Sequence, residues 1–471
     1  FALCPLLTHS GIEALREHGS PEQKATYLEK LVTGTWTGTM CLTEPHAGSD
    51  VGALSTRAEP QDDGSYRLFG QKIFITWGDH DLTENIIHLV LARTPGSPPG
   101  TKGISMFIVP KFVPEADGRP GVRNDFKVVS LEHKLGIHAS PTCVLALGDG
   151  GEGAVGYLIG EEHEGMRYMF TMMNTARLGV GLEGLAIGEG AYQKALAFAG
   201  ERRQGRALGE ASAESALIIE HPDVRRMLTT MKANNEAMRC LFYAAARTAD
   251  FSHHAESSEE RERNGELLSL LTPIAKAWPT DLGVEMASLG LQVHGGMGFV
   301  EETGAAQFYR DARIAPIYEG TNGIQAIDLV IRKLPIRNGE VALELIKEIA
   351  DAAATAPREL ADLAAPLAEA AAALRQATRG LLDSLGRDPN DALAGATPYL
   401  RMFGMVLGGW FHLRSAIAAS ELLAKGEGDE VFLGSRVGLA RFYCRQLLPS
   451  ASAMLEAVLA PVDDLAVSNL T

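Results

Sequence analysis

The sequence predicts an α+β chain in four parts: the end of an N-terminal helical domain, a middle antiparallel β domain, a C-terminal four-helix bundle and an additional C-terminal helical domain. Three observations predict it. Residues 36–158 are rich in Thr, Val and Ile and are cut by Gly, Pro and Asp clusters at 62–64, 95–100, 117–121 and 148–153. Residues 159–336 carry long apolar periodicity of helical type, and residues 337–471 repeat that period with an Ala-rich, acidic composition.

The elements follow in order. In residues 1–35, Ile12, Leu15, Tyr27, Leu28 and Leu31 form apolar stripes, and Ser20-Pro21-Glu22-Gln23 reads as a helix N-cap with Pro at the first position. The stretch is too short to be a domain and opens at Phe1, so an earlier part of the helical domain is expected to precede it. Strand-like runs at 65–68, 72–76, 86–92, 103–109 and 143–146 lie between turn signals without intervening helices, as in a barrel or sandwich. Helices are expected at 166–200, 218–250, 267–289 and 321–334, a bundle in which Gly179, Gly181, Gly184, Ala186 and Gly188 allow close packing. The charged run 256–263 reads as a solvated loop. Helices at 343–356, 360–385, 398–425 and 437–458 complete an appended packing or assembly domain.

Composition narrows the function. Lys+Arg total 43 against Asp+Glu 59, a net charge of −16. An acidic chain argues against general nucleic-acid binding and against an anionic membrane surface. The apolar run 402–413 is too short to span a bilayer and contains three Gly, so a buried helix is expected. Five scattered cysteines without a CxxC pair fit reduced thiols in a cytoplasmic compartment, and no HExxH or other metal pattern occurs among thirteen histidines.

Five motifs and one carboxylate carry candidate chemistry. The loop 40–50 offers the hydroxyls of Thr43 and Ser49, with Gly48 to let a ligand approach; it also reads as a plain Ser/Asp turn. In 70–79, Phe74 and Thr76 fall on one face of a strand and Trp77 on the other, suited to flanking a ring system or simply to a half-buried strand. Asn174 and Arg177 share a helix face, and Arg202 belongs to a cationic cluster at a helix end; each is a ligand contact or a solvated face. Gln292-Val293-His294-Gly295-Gly296 ends a helix and exposes backbone N–H groups, fit for a pyrophosphate or only for a helix stop. Glu319, between Tyr318 and Gly320, stands at a loop-to-helix junction near Thr321. Apolar neighbours raise a carboxyl toward neutrality and Gly leaves room for substrate, so Glu319 is a candidate general base, or a carboxylate complementing a helix dipole.

The order and spacing of these motifs resemble the acyl-CoA dehydrogenase family over about residues 11–334. The wording at 78–85 and 134–140 and the extra C-terminal helices resemble its enlarged branch, which includes 3-methylmercaptopropionyl-CoA dehydrogenases. The resemblance implies a flavoenzyme with FAD between the β domain and the helical bundle, and the domain division 1–35, 36–158, 159–336 and 337–471. It implies FAD contacts at Cys41, Thr43, Ser49, Phe74, Thr76, Arg202, Gln292, Gly295, Gly296 and Thr321. Acyl-CoA contacts are implied at Ser49, Asn174, Arg177, Tyr318 and Gly320. Glu319 is the implied base, its backbone N–H helping to hold the developing enolate. Some members place the base just before the bundle arginine, where this chain has Ala176. The implied partners are an acyl-CoA, an electron-transfer flavoprotein as acceptor and further copies of the chain in a dimer or tetramer. An oxidase handing electrons to O₂ and a DNA-associated flavoprotein are the alternative readings, the second disfavoured by the acidic charge.

Overall fold

A computed structural model describes residues 1–206 and 215–466. The chain divides into two compact units, Phe1–Gly179 and Val180–Thr471.

The first unit opens with helix α1 (Leu3–His18). The Ser20/Gln23 capping box forms as its residues dictate, but the α-helix it starts covers only Pro21–Gln23 before a wider π-type turn takes over at Lys24–Leu28. Ten strands follow among the described residues: β1 (Trp36–Cys41), β2 (Arg57–Pro60), β3 (Tyr66–Thr76), β4 (Asn85–Ala92), β5 (Ser105–Pro110), β6 (Phe112–Pro114), β7 (Pro120–Arg123), β8 (Phe126–Leu131), β9 (Thr142–Leu147) and β10 (Ala154–Leu158). The main sheet runs β1-β4-β5-β10-β3-β9-β8, with β2 beside β3. It is antiparallel except for the β1–β4 pair, which is parallel. The runs expected at 65–68 and 72–76 are one continuous strand, β3, bent by a register shift between Lys72 and Ile75. Strand β1 is the sheet's edge yet every residue in it is buried, because α1 lies across it. The contact is close: Thr8 Oγ1 accepts from Gly38 N at 3.0 Å. Leu15, Trp36, Ile87, Leu89 and Ile108 fill the core on that side, and Ile75, Val90, Phe107 and Leu145 fill the other.

The second unit is helical. Helix α2 (Gly165–Glu201) enters it at Val180. Then come α3 (Pro222–His254), α4 (Ser258–His294), α5 (Ala305–Ala312) and α6 (Asn322–Asp328). Helices α7 (Glu340–Ala354), α8 (Ala361–Arg387), α9 (Ala396–Lys425) and α10 (Glu430–Phe442) follow. The run 256–263, expected as a loop, is mostly the first turns of α4. Ser257 caps it by accepting from Glu260 N at 3.1 Å, and Glu259 and Glu260 sit where the dipole favours acids.

The small residues of α2 do what their size suggests. Pro279, inside α4, cannot donate to the Ala275 carbonyl one turn back. Gly181 covers that carbonyl so closely that a Cβ would lie 2.0 Å from it, and at Gly184 a Cβ would lie 2.5 Å from the Pro279 carbonyl oxygen. Gly283 answers from α4, its own Cβ position 2.6 Å from the Gly184 oxygen. The apolar stretch 402–413 is a buried part of α9, as its glycines implied: Gly404 lies against the Trp278 indole and Gly408 against the Tyr443 hydroxyl. No helix among the described residues is long and apolar enough to cross a membrane.

Candidate active site

In the first unit the 42–50 loop hangs from a buried ion pair. Lys72, on β3, is fully buried and donates to Glu44 Oε1 at 2.8 Å and to the Leu42 carbonyl at 3.0 Å. Glu44, also buried, accepts in addition from Ser55 N at 2.7 Å, Ser55 Oγ at 2.9 Å, Thr56 N at 3.0 Å and the Thr56 hydroxyl. Burial alone would raise the Glu44 carboxyl, but the Lys72 charge and the hydrogen bonds outweigh it and bring it down to about 2. Thr43 is fixed between these anchors, its carbonyl accepting from Ile73 N at 2.9 Å. Beyond it Gly48 and Ser49 are exposed, and a Cβ on Gly48 would meet nothing within 4 Å. The space there is not a packing requirement.

The bulge in β3 corrects the expected alternation. Phe74 does not share a regular strand face with Thr76; it is 58% exposed at φ 60°, while Ile75 is buried. Thr76 is half-buried opposite Thr142, and Trp77 is buried at φ 55°. A left-handed conformation costs a non-Gly residue about 1–2 kcal/mol, a strain commonly kept where a ligand is handled. Cys41 is buried, with its thiol beside Thr39 and His88, and burial raises it to about 12, so only its backbone is presentable to a ligand. On α2, Asn174 is exposed and Arg177 is buried, the guanidinium donating to Asn174 Oδ1 at 3.4 Å. Ala176 beside it is fully buried.

In the second unit the loop before α6 is clamped from α4. Lys276 is fully buried and donates to the Gly320 carbonyl at 2.9 Å and to Asn322 Oδ1 at 2.9 Å. The Asn322 amide donates back to the Ala277 carbonyl at 3.1 Å, Thr280 Oγ1 at 3.0 Å and Asp281 Oδ1 at 2.7 Å. Asn322 N reaches the Pro316 carbonyl at 2.9 Å, closing the loop on itself. Buried Gln325 donates to the Glu319 carbonyl at 3.2 Å. Thr321 caps α6, accepting from Ile324 N at 3.2 Å. Under these restraints Glu319 adopts φ 56° and Gly320 φ 80°. The side chain of Glu319 is half-buried. The Tyr318 hydroxyl donates to Glu183 on α2.

Two further groups of expected contacts lie apart from that loop. Helix α4 ends at His294, with Gly295 at φ 59°. Gln292, Gly295 and Gly296 are exposed, and a Cβ on either glycine would meet nothing within 4 Å. The next glycine has a packing cause: a Cβ on Gly298 would lie 2.3 Å from the Leu291 carbonyl oxygen. Arg202 is exposed just past α2, its backbone tied to Phe198 and Ile218.

Sequence reasoning missed Glu44, Lys72, Glu183, Lys276, Asn322 and Gln325 as parts of the site. A local signal existed for two: Lys72 and Lys276 are lysines inside otherwise apolar periodic segments, which demands a buried partner.

Comparison with known proteins places these features in context. Residues 39–149 match a family model described as acyl-CoA dehydrogenase, middle domain; residues 163–334 match acyl-CoA dehydrogenase, C-terminal domain; and residues 344–467 match acetyl-CoA dehydrogenase C-terminal like. The chain is 48% identical over 477 residues to a 3-methylmercaptopropionyl-CoA dehydrogenase of Ruegeria pomeroyi, an alignment covering 100% of this chain and 79% of the relative. Its fold is similar to Caenorhabditis elegans ACDH-11 in complex with C11-CoA, with TM-score 0.80, 22% identity, and coverage of 100% of this chain and 76% of the other. It is also similar to an acyl-CoA dehydrogenase complexed with FAD from Bacillus anthracis, with TM-score 0.74, 20% identity, and coverage of 96% and 74%.

Proposed function

The chain belongs to the acyl-CoA dehydrogenase family, and from that premise we propose how its residues carry out FAD-dependent α,β-dehydrogenation of an acyl-CoA thioester to the trans-2-enoyl-CoA. The observation that carries the assignment is the loop at Glu319. Six hydrogen bonds from Lys276, Asn322 and Gln325 hold the backbone around a half-buried carboxylate in a left-handed turn. A general base must be aimed before substrate arrives, and a restrained backbone with glycine beside it does that.

The residues present suit a flavin. Gly48, Gly295 and Gly296 have open space where side chains would stand, and Phe74 is held exposed against its backbone preference. FAD, when bound, accepts the hydride that leaves the substrate β-carbon. In this reading Thr43, Ser49, Phe74, Thr76 and Thr321 contact its ring system, with Cys41 through the backbone. Arg202 meets its phosphates, and Gln292, Gly295 and Gly296 hold its adenosine side. Ser49, Asn174, Arg177, Tyr318 and Gly320 bind the thioester and its CoA portion. Glu319 removes the α-proton, and its backbone N–H supports the charge that develops on the thioester oxygen.

The finer parts of the proposal are the domain division 1–35, 36–158, 159–336 and 337–471, a homodimer or larger homo-oligomer, a cytoplasmic location and an electron-transfer flavoprotein as acceptor. The similarity to a 3-methylmercaptopropionyl-CoA dehydrogenase makes a short thioether-bearing acyl chain the first substrate to try. A panel of acyl-CoAs scored by anaerobic flavin bleaching tests the reading; no bleaching with any of them by FAD-loaded protein sinks it. Peroxide formed without an added acceptor, at a rate matching turnover, would turn the assignment to an oxidase.

A further inference from the structure

Glu183 has no part in the chemistry described so far, yet it reaches the residue next to the base. It projects from α2, which lies across α4 at the Gly184–Pro279 contact. Its carboxylate accepts the Tyr318 hydroxyl, bridging residues 135 apart in the chain. The other groups that bear on this carboxyl are Asp311, near the end of α5, and Lys276 of α4. The carboxyl and the phenol are both half-buried, and a hydrogen bond partly withdrawn from water holds more firmly than an exposed one. Buried His412 and His88 have plain structural partners in the Ala233 carbonyl and the Thr39 hydroxyl, as does half-buried Asp281 in the Asn322 amide.

We propose that Glu183 is a positioning residue for the reaction: by gripping the Tyr318 hydroxyl it fixes the backbone turn at Glu319, and the charge it carries sets how firmly the grip holds. The inference rests on Glu319 being the base. Its logic is local. Tyr318 and Glu319 share a peptide bond, so anchoring the tip of the Tyr318 side chain narrows the backbone excursions that would re-aim the carboxylate. Lys276 and Gln325 restrain the loop on the Gly320 side; the bond to Glu183 restrains it on the Tyr318 side.

The charge on Glu183 is poised to change. Burial pushes its carboxyl up to about 7, Asp311 adding to the rise, while the Tyr318 hydrogen bond and Lys276 oppose it. Tyr318 is itself driven well above its ordinary value, first by burial and then by Glu183, so the phenol keeps its proton and remains the donor. Below neutrality the bond joins two neutral groups; above it the acceptor is charged, and a charge-assisted bond is roughly twice as strong.

The test is the pH profile of anaerobic flavin bleaching by saturating acyl-CoA, measured on FAD-loaded enzyme. The parent rate should rise about three- to tenfold between roughly pH 6 and 8, the scale of one strengthened hydrogen bond. Glu183→Gln and Tyr318→Phe should each flatten that rise, and the double variant should flatten it no further. In infrared spectra of the same samples, a protonated-carboxyl band that titrates near neutrality should be missing from Glu183→Gln. A profile superimposable on the parent, or one lowered equally at every pH, overturns the proposal, as does an unchanged carboxyl band. Failure of the underlying assignment looks different: Glu319→Gln would then bleach normally, whatever Glu183 does.

Discussion

Replacing Lys72 by Met removes one charge from the interior and little volume, so its effect isolates the ion pair under the 42–50 loop. In the parent, Lys72 Nζ is 2.8 Å from Glu44 Oε1 and both side chains are buried. After the change Glu44 keeps its bonds from Ser55 and Thr56 but loses its buried cationic partner. His46 lies 3.8 Å away but is 55% exposed at its side chain, too solvated to replace a buried ammonium. Breaking a buried pair from one side costs about 3–5 kcal/mol. The pH dependence points the same way: against the opposing effect of burial, the Lys72 charge, with the hydrogen bonds from Lys72, Thr56 and Ser55, holds the Glu44 carboxyl down from 4.5 to about 2. A carboxyl depressed in the folded state stabilises above its unfolded value, so this contribution is whole above about pH 4.5 and fades as pH falls toward 2. Thermal unfolding at neutral pH, followed by circular dichroism and by release of flavin fluorescence, reads the effect. At about 2–4 °C per kcal/mol for a unit of this size, Lys72→Met should melt roughly 6–20 °C lower. Flavin release should lead unfolding, because the loop bearing Thr43 and Ser49 loosens first. A melting point within about 1 °C of the parent refutes the reasoning.

Two other outcomes follow from the packing and the charges. Gly184→Ala forces a methyl against the Pro279 carbonyl oxygen 2.5 Å away, so it should cost about 1–3 kcal/mol in denaturant unfolding, whereas Gly48→Ala, with nothing within 4 Å, should leave stability unchanged and weaken FAD binding. For Glu183 the sign runs opposite to Glu44: its folded value is raised from 4.5 to about 7, so the folded state holds the extra proton and loses stability as pH climbs through that window. Glu183→Gln should therefore melt higher than the parent at pH 8 by the equivalent of about 2–3 kcal/mol, and by much less at about pH 5; equal gains at both values would contradict the shift.

Much of the fold could be read along the chain because its signals are local. Turn clusters bracketed β4, β5 and β9, and helical periodicity located α2, α3 and most of α8 and α9 within a few residues. The short β2, β6, β7, β8 and β10 escaped notice, since their burial alternates weakly or they owe their extended form to neighbours. The run 256–263 misled because its charges look like a loop when they are the exposed face and capping turn of α4. The site divided along the same line. Glu319, Thr321 and the glycines at 295 and 296 were visible as motifs. The bulge that exposes Phe74 was not, because a register shift is decided by the partner strand β9. Nor was the pairing of Glu183 with Tyr318 or of Lys276 with Gly320, which joins residues 135 and 44 positions apart.

The role of Glu319 is tested most directly by a single substitution read in the flavin spectrum. Glu319→Gln, loaded with FAD, is mixed anaerobically with an acyl-CoA that bleaches the parent. The predicted result is normal FAD content, normal binding of the thioester and a bleaching rate lower by about two to four orders of magnitude, the scale on which a lost general base is felt. Bleaching at a near-parent rate would contradict the account, and the base would have to be sought elsewhere.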